Sequence, residues 1–190
     1  IILHNSEYAL FKIFNRMNKK FPGLNIQSCL LDLKDIRLLN NFFEKNNIDI
    51  IYHAAAYKHV DLVEKNIESA IKNNIIGFIN LLKVSLKNKI KNITLVSTDK
   101  AVSPTTVMGM TKRVCEMILF NEISKESTLN FSAVRFGNVF NSSGSVISIF
   151  KNQIQKGEDL TLTDSNVTRY FMSIKEAANL VIKSSMLSKG

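Results

Sequence analysis

The chain has 190 residues, 45% of them hydrophobic, which suits one domain with a sizeable core and excludes a disordered segment. Its 25 Lys and Arg against 16 Asp and Glu leave a net charge of +9. The lysines are scattered among asparagines and isoleucines, with no aromatic-basic platform and no recognition helix, so nucleic acid is not an expected partner and the charge suits anionic small molecules.

In chain order, "IILHN" reads as a short buried strand, followed by a helix capped at Asn5 or Ser6 with Leu10, Ile13, Phe14 and Met17 on one face. Pro22-Gly23 breaks the chain. "NIQSCLL" is a second strand, leading past Asp32 into a helix from about Asp35 with Ile36, Leu39 and Phe43 inward. A third strand covers Ile48 to Ala56 and ends in small residues. A long helix over Ser69–Lys87 follows, with Ile71, Ile75, Phe78 and Leu82 in register. "NITLVST" is the fourth strand, Thr106 to Ser124 a helix, and "NFSAVRFGNV" the fifth strand. Further helices are expected near Ser145–Gln155 and Ser173–Ser185.

Strands alternate with helices, and the strands are continuous apolar runs. That pattern predicts a doubly wound α/β fold, a parallel sheet covered on both faces, which binds ligands where strands end and helices begin. His4-Asn5-Ser6, Asp32, "HAAAYKHV", "STDK" and "RFGNV" all fall at such places. None of the seven glycines forms Gly-x-Gly-x-x-Gly. If "IIL" is the second strand of the order 3-2-1-4-5-6, the first strand and its glycine-rich turn are absent from the middle of the sheet. Residues 1–190 are then a partial domain, expected to be poorly stable alone and unable to hold a dinucleotide tightly. The start at Ile1 and the end at "MLSKG" also read as a piece of something longer. Cys29 and Cys115 lie in apolar segments without metal-ligand spacing; both are expected to be reduced and buried, as in a cytoplasmic protein, and no metal site is expected. No run reaches the roughly 18 apolar residues needed to span a bilayer, and no secretory signal is visible.

Five stretches occur in one order: "HAAAYKHVDLVE", "NNIIGFINLL", "STDKAVSPTTVMGMTKR", "RFGNVFNSSGSVISIFKNQI" and "TRYFMSIKEAANLV". Together they resemble the CapD-like polysaccharide-biosynthesis family, extended short-chain dehydrogenase/reductase proteins that act as nucleotide-sugar 4,6-dehydratases. The resemblance implies a Rossmann-like fold, NAD as cofactor and a UDP-sugar substrate, UDP-N-acetylglucosamine in the branch with methionine before Gly-x-Thr-Lys. That branch retains the C5 configuration of its 4-keto-6-deoxy product and carries membrane helices ahead of the catalytic domain. Membrane association would therefore come only through a segment upstream, on the cytoplasmic face. A homo-oligomer built on the two long helices is a further implication.

Such a dehydration removes a hydride from C4, a proton from C5 and water from C6, then returns the hydride to C6. Asp99 and Lys100 are adjacent opposite charges at the mouth of a buried strand, able to shift each other's pKa and share acid and base roles. The resemblance makes Asp99 the acid near the 6-hydroxyl and Lys100 the base at C5, although the division between them stays open. Thr98 would bond the 4-hydroxyl, and Lys112 would hold the nicotinamide ribose. Met108 stands where the wider superfamily has its catalytic tyrosine, so the 4-hydroxyl proton must leave through Asp99, Thr98 or water.

Implied cofactor contacts are His4 and Ser6 after the first visible strand, Asp32 and Leu33 at the adenine edge, and the small Ala54, Ala55 and Ala56. Asn74 would steady the active-site backbone. His4 replaces the acid that normally binds the ribose 2′-hydroxyl, which leaves NADP open beside NAD. The substrate-binding part would run from about residue 138 onward. Asn138 and Ser145 would lie near the diphosphate, in front of the helix that "SSGSVI" opens. Arg169 would pair with phosphate, and Lys58 and His59 would face the sugar nucleotide.

Overall fold

The computed structural model describes residues 1–123, 129–140, 146–162, 164, 166 and 168–188. Strand β1 (Ile2–His4) pairs in parallel with β2 (Ser28–Leu30), Ile2 opposite Ser28. Strands β3 (Ile50–His53), β4 (Asn92–Thr98) and β5 (Asn130–Phe136) form a second parallel sheet with β4 in the centre. A short parallel pair joins β6 (Asn138–Val139) to β7 (Phe171–Met172).

The helices start where short polar side chains can satisfy free backbone N–H groups. Ser6 caps α1 (Glu7–Lys20), and Asp35 caps α2 (Ile36–Lys45) by accepting from Arg37 and Leu38 at 3.0 Å each. After β3 come α3 (Val60–Lys65), α4 (Ile67–Ala70), a π-helical turn over Ile71–Ile76, and α5 (Gly77–Lys87). A 3-10 turn over Asp99–Ala101 precedes α6 (Val107–Ile123), and α7 (Val146–Lys156) and α8 (Ile174–Leu187) follow. Ser173 and Glu176 close a reciprocal capping box on α8.

Three details depart from the periodicity. The helix expected to begin at Ser69 begins at Ile67 and widens into the π turn. That turn holds an extra residue, so Ile71 rotates outward to 41% exposure while Phe78 and Leu82 stay buried. Ile36, in the first turn of α2, also points outward, whereas Leu39 and Phe43 are buried. The expected fifth strand breaks at Gly137, where a Cβ would lie 2.6 Å from the Tyr170 carbonyl oxygen. The chain crosses there at backbone contact and continues as β6 with another partner. Of the two free thiols, Cys115 is buried but Cys29 only half so. The edge position of the β1–β2 pair explains the difference.

The core joins Leu39 and Phe43 of α2, Phe78, Leu81 and Leu82 of α5, Ile93 and Leu95 of β4, and Leu119 of α6. Helix α8 also packs on β4 and β5, and the Tyr52 hydroxyl reaches Ser185 Oγ at 3.1 Å. Strands β1 and β3 do not pair. Ile1, Leu3 and His4 on one side and Ile50 to Tyr57 on the other line a cavity of about 700 Å³ between them. Set against the order 3-2-1-4-5-6, β2 and β1 take places 3 and 2, and β3, β4 and β5 take places 4, 5 and 6. The cavity occupies the place of the central strand, and it leaves Ile50 and Tyr52 more than 40% exposed.

Amide exchange on the 190-residue chain should therefore be uneven. The three-residue β1–β2 ladder has one partner strand and should exchange at least tenfold faster than β4, which is paired on both sides. Equal protection of the two would mean that the sheet closes across the cavity.

Candidate active site

The sequence Thr98-Asp99-Lys100 leaves β4 and turns at once into the 3-10 turn, which folds the three side chains together. Thr98 Oγ1 donates to Asp99 Oδ1 at 2.9 Å, and Lys100 Nζ reaches the same oxygen at 3.0 Å. The Lys100 backbone N–H closes the turn on Thr98 Oγ1. Burial raises the Asp99 pKa, but the bonds from Lys100 and Thr98 outweigh it and hold the carboxyl below the usual range. Asp99 is therefore an anion at neutral pH, with Lys100 as its counter-charge.

Helix α6 brings Met108 and Lys112 beside this turn. Met108 is 5% exposed and packs with Val63 and Ala70, turned into a small apolar cluster. Lys112 is 8% exposed, and its Nζ donates to the Val96 carbonyl at 2.9 Å. Burial pulls the lysine below its ordinary range, while Cys115 and Glu116 act the other way. Gly109 sets the approach of helix to turn: a Cβ there would stand 2.5 Å from the Lys100 carbonyl oxygen. Glu64 of α3 caps the helix from outside, accepting from the Val107 N–H at 2.7 Å.

Asn74 sits in the π turn, 2% exposed. Its Oδ1 accepts from the Tyr57 N–H at 2.8 Å, and its Nδ2 donates to the Tyr57 carbonyl at 3.1 Å and to Thr111 Oγ1 at 3.0 Å. Thr111 in turn donates to the Met108 carbonyl at 2.8 Å. One amide thus ties the small-residue loop after β3 to α6. The Asn74 carbonyl also accepts from the Cys115 thiol.

On the other side, His4, Asp32, Leu33 and Ala54, Ala55 and Ala56 line the cavity between β1 and β3. His4 Nδ1 accepts from the Ser6 N–H at 2.8 Å, which leaves Nε2 as the protonated nitrogen. Ser6 Oγ accepts from the Ala9 N–H at the start of α1, so its hydroxyl serves as a helix cap. Burial raises the Asp32 pKa, and the Lys34 N–H and ammonium outweigh it, so the carboxyl lies below its usual range. Asn80 Nδ2 holds the Leu33 carbonyl at 3.0 Å.

Toward the far end, Asn138 is held by its backbone N–H to the Tyr170 carbonyl at 2.8 Å. Arg169 Nη1 donates to the Thr168 carbonyl at 2.8 Å. Lys58 and His59 are exposed at the start of α3. Ser145 lies outside the described residues, together with the "SSGS" stretch that was expected to open α7. Among the described residues no cluster could hold a metal ion, and no helix is long and apolar enough to cross a membrane.

The site also contains residues to which the sequence reading gave no role. Gly109, Thr111, His53 and Glu116 all touch it through packing or hydrogen bonds. Gly109, Thr111 and His53 lie inside the quoted stretches, whereas Glu116 lies outside them, its one signal being an acid in an apolar helix four residues after Lys112.

Fold and site together define a Rossmann-like domain of the extended short-chain dehydrogenase/reductase class. Within that class the chain belongs to the polysaccharide biosynthesis protein family, whose pattern matches residues 1–190. It is 45% identical over 191 residues to the probable polysaccharide biosynthesis protein EpsC of Bacillus subtilis (strain 168), covering 100% of this chain and 32% of that protein. A UDP-glucose 4-epimerase of Rickettsia canadensis (strain McKiel) is 36% identical over 178 residues, 90% of this chain and 52% of the relative. The crystal structure of Pen from Bacillus thuringiensis superposes with a TM-score of 0.90 at 35% identity, over 99% of this chain and 57% of that one. The chain thus spans about a third to a half of the curated relatives it matches.

Two outcomes follow from this geometry. Gly109→Ala should lower stability by about 1–3 kcal/mol through overpacking against the Lys100 carbonyl, read as a fall in the urea midpoint; an unchanged midpoint would show that the turn yields freely. His53 stacks on Phe78 at 5.1 Å, and burial, then the Lys112 charge, pushes its pKa down to about 3. An unfolded histidine titrates near ~6.5, so between that pH and about 3 the unfolded chain binds more protons and stability is lost as the pH drops, by up to about 1.4 kcal/mol per unit. His53→Phe should flatten this acid slope, and an identical slope in both proteins would remove His53 as its source.

Proposed function

We propose that this domain belongs to a nucleotide-sugar 4,6-dehydratase that converts UDP-N-acetylglucosamine to a UDP-4-keto-6-deoxy sugar for polysaccharide synthesis. The observation that carries the reading is the hydrogen-bonded run Thr98–Asp99–Lys100 beside a helix whose tyrosine position holds a buried methionine. EpsC, named for polysaccharide biosynthesis, supports the setting.

NAD is the proposed cofactor, with NADP as the alternative because His4 brings no carboxylate to the ribose. The residues fit a dinucleotide at both ends. Asp32, Leu33 and the three alanines line the cavity at one end, and buried Lys112 lies toward the other. The pyrophosphate cradle belongs to the strand that would fill the gap between β1 and β3. A nicotinamide held there would supply the hydride chemistry, uptake from C4 and return at C6.

The protein's own task is proton traffic. Thr98 bonds the 4-hydroxyl and passes its proton along the 2.9 Å contact to anionic Asp99. Asp99, now protonated, is the acid that lets the 6-hydroxyl leave as water. Lys100, once its ammonium has released a proton to solvent, acts as the base at C5. The proton taken from C4-OH is spent at C6, and Lys100 delivers to C5 a proton that has exchanged with solvent, then regains its own from solvent. Asn138 and Arg169 would meet the diphosphate, Arg169 after leaving the Thr168 carbonyl, with Lys58 and His59 facing the sugar. Exposed Met110, Val114, Met117 and Phe120 on α6 supply an apolar face for the homo-oligomer.

The Rickettsia relative's name supports a second reading, a nucleotide-sugar 4-epimerase. Incubation of the full-length protein with UDP-N-acetylglucosamine in deuterated water separates the two. A dehydratase yields a product that has lost one water and carries deuterium at C5, with its configuration retained. An epimerase yields an isomer of unchanged composition, and an inactive binding module returns the substrate. Asp99→Asn should reduce water elimination by about 10²–10⁴-fold, and elimination at the original rate would reassign the acid.

A further inference from the structure

Glu116 plays no part in the proton traffic, yet it is the one fully buried acid among the described residues. Its carboxylate accepts from Ser97 Oγ at 2.6 Å, from Arg135 Nε at 2.9 Å and Nη2 at 2.6 Å, and from Arg113 Nη1 at 3.3 Å. A carboxylate stripped of water is destabilising unless donors surround it, and here they do. One helical turn earlier on the same helix, Lys112 bonds the Val96 carbonyl. Val96 and Ser97 are the last two residues of β4 before Thr98. Helix α6 therefore grips the strand at two successive positions, through Lys112 and through Glu116, just below the catalytic turn.

The surroundings of Lys112 sharpen the point. A buried ammonium needs a nearby negative charge, and the charged or titratable groups that face it are few. His53 on β3 is neutral, Cys115 on α6 is a thiol that burial pushes up to about 11, and Glu116 is the remaining one. Burial raises the Glu116 pKa, but Arg135, Ser97 and Arg113 outweigh it and keep the carboxylate ionised.

We propose that Glu116 is a positioning residue of the active site: anchored by Ser97, Arg113 and Arg135, it holds α6 on the end of β4 one turn from Lys112 and sets a negative charge beside that ammonium. The inference rests on the assignment of Lys112 to the nicotinamide ribose.

The test is the pH dependence of NADH binding to the full-length protein, followed by nicotinamide fluorescence from about pH 6 to about pH 10, with thermal unfolding of each variant alongside. Affinity should fall on the alkaline side as Lys112 loses its proton. Glu116→Gln removes the negative charge and should move that fall about one unit lower. Arg135→Gln removes a positive charge from the carboxylate's other side and should move it higher. Opposite directions are the signature, because a network that only holds the fold together would lower both unfolding temperatures without moving the two limbs apart. Limbs that stay in place, or move the same way, overturn the proposal. Should Glu116→Gln not fold, the sign of the Arg135→Gln shift decides alone. A wild-type affinity that stays flat throughout overturns the ribose assignment and the inference with it, whereas a limb that is present but unmoved overturns the inference only. Failure of the dehydratase reading would show in the product and leave this binding limb intact.

Discussion

Much of this domain depends on how closely α6 approaches the end of β4. Gly109 lets the helix come to backbone contact with the turn that carries Asp99 and Lys100. Lys112 reaches the Val96 carbonyl, and Glu116 reaches Ser97, so the helix meets the strand over two successive turns. A side chain at Gly109 would hold the two apart and lengthen each of these contacts. Packing thus sets the distance at which the chemistry operates, and the polar groups make use of a separation that apolar contact and a missing Cβ have already defined.

That constraint also gives the methionine a place. Met108 is one residue before Gly109 and belongs to the cluster with Val63 and Ala70, which seats α6 on α3 and α4. A tyrosine at this position would carry a hydroxyl into apolar surroundings or turn toward the turn of Asp99. With methionine there, the hydroxyl and the charged groups gather on the strand side, in a run of three consecutive residues.

The fold was legible because its signals are local and repeated. Apolar runs followed by amphipathic helices appear in every unit, and "NITLVST" coincides with β4 end to end. The gap in the sheet could be read from the lack of a glycine-rich turn, and β1 and β3 are indeed unpaired with each other. The cluster Thr98-Asp99-Lys100 was legible for the same reason, since neighbours in sequence must be neighbours in space. What escaped depended on non-local contacts. Gly109 needed the position of the Lys100 carbonyl, Glu116 needed Arg135 from another strand, and α3 was too short to show a period. The π turn escaped because one extra residue shifts a helical face without leaving a mark in composition.

Asn74 has a consequence for how ligands could enter and leave. A single side-chain amide holds the backbone of Tyr57 on one side and Thr111 on the other. The loop that would border a cofactor and the helix that carries Lys112 therefore share a latch. Neither can swing away without breaking bonds that also hold the other, so the two walls of the cleft open as a pair. Residence times of two ligands bound against such walls become correlated, even where the ligands never touch.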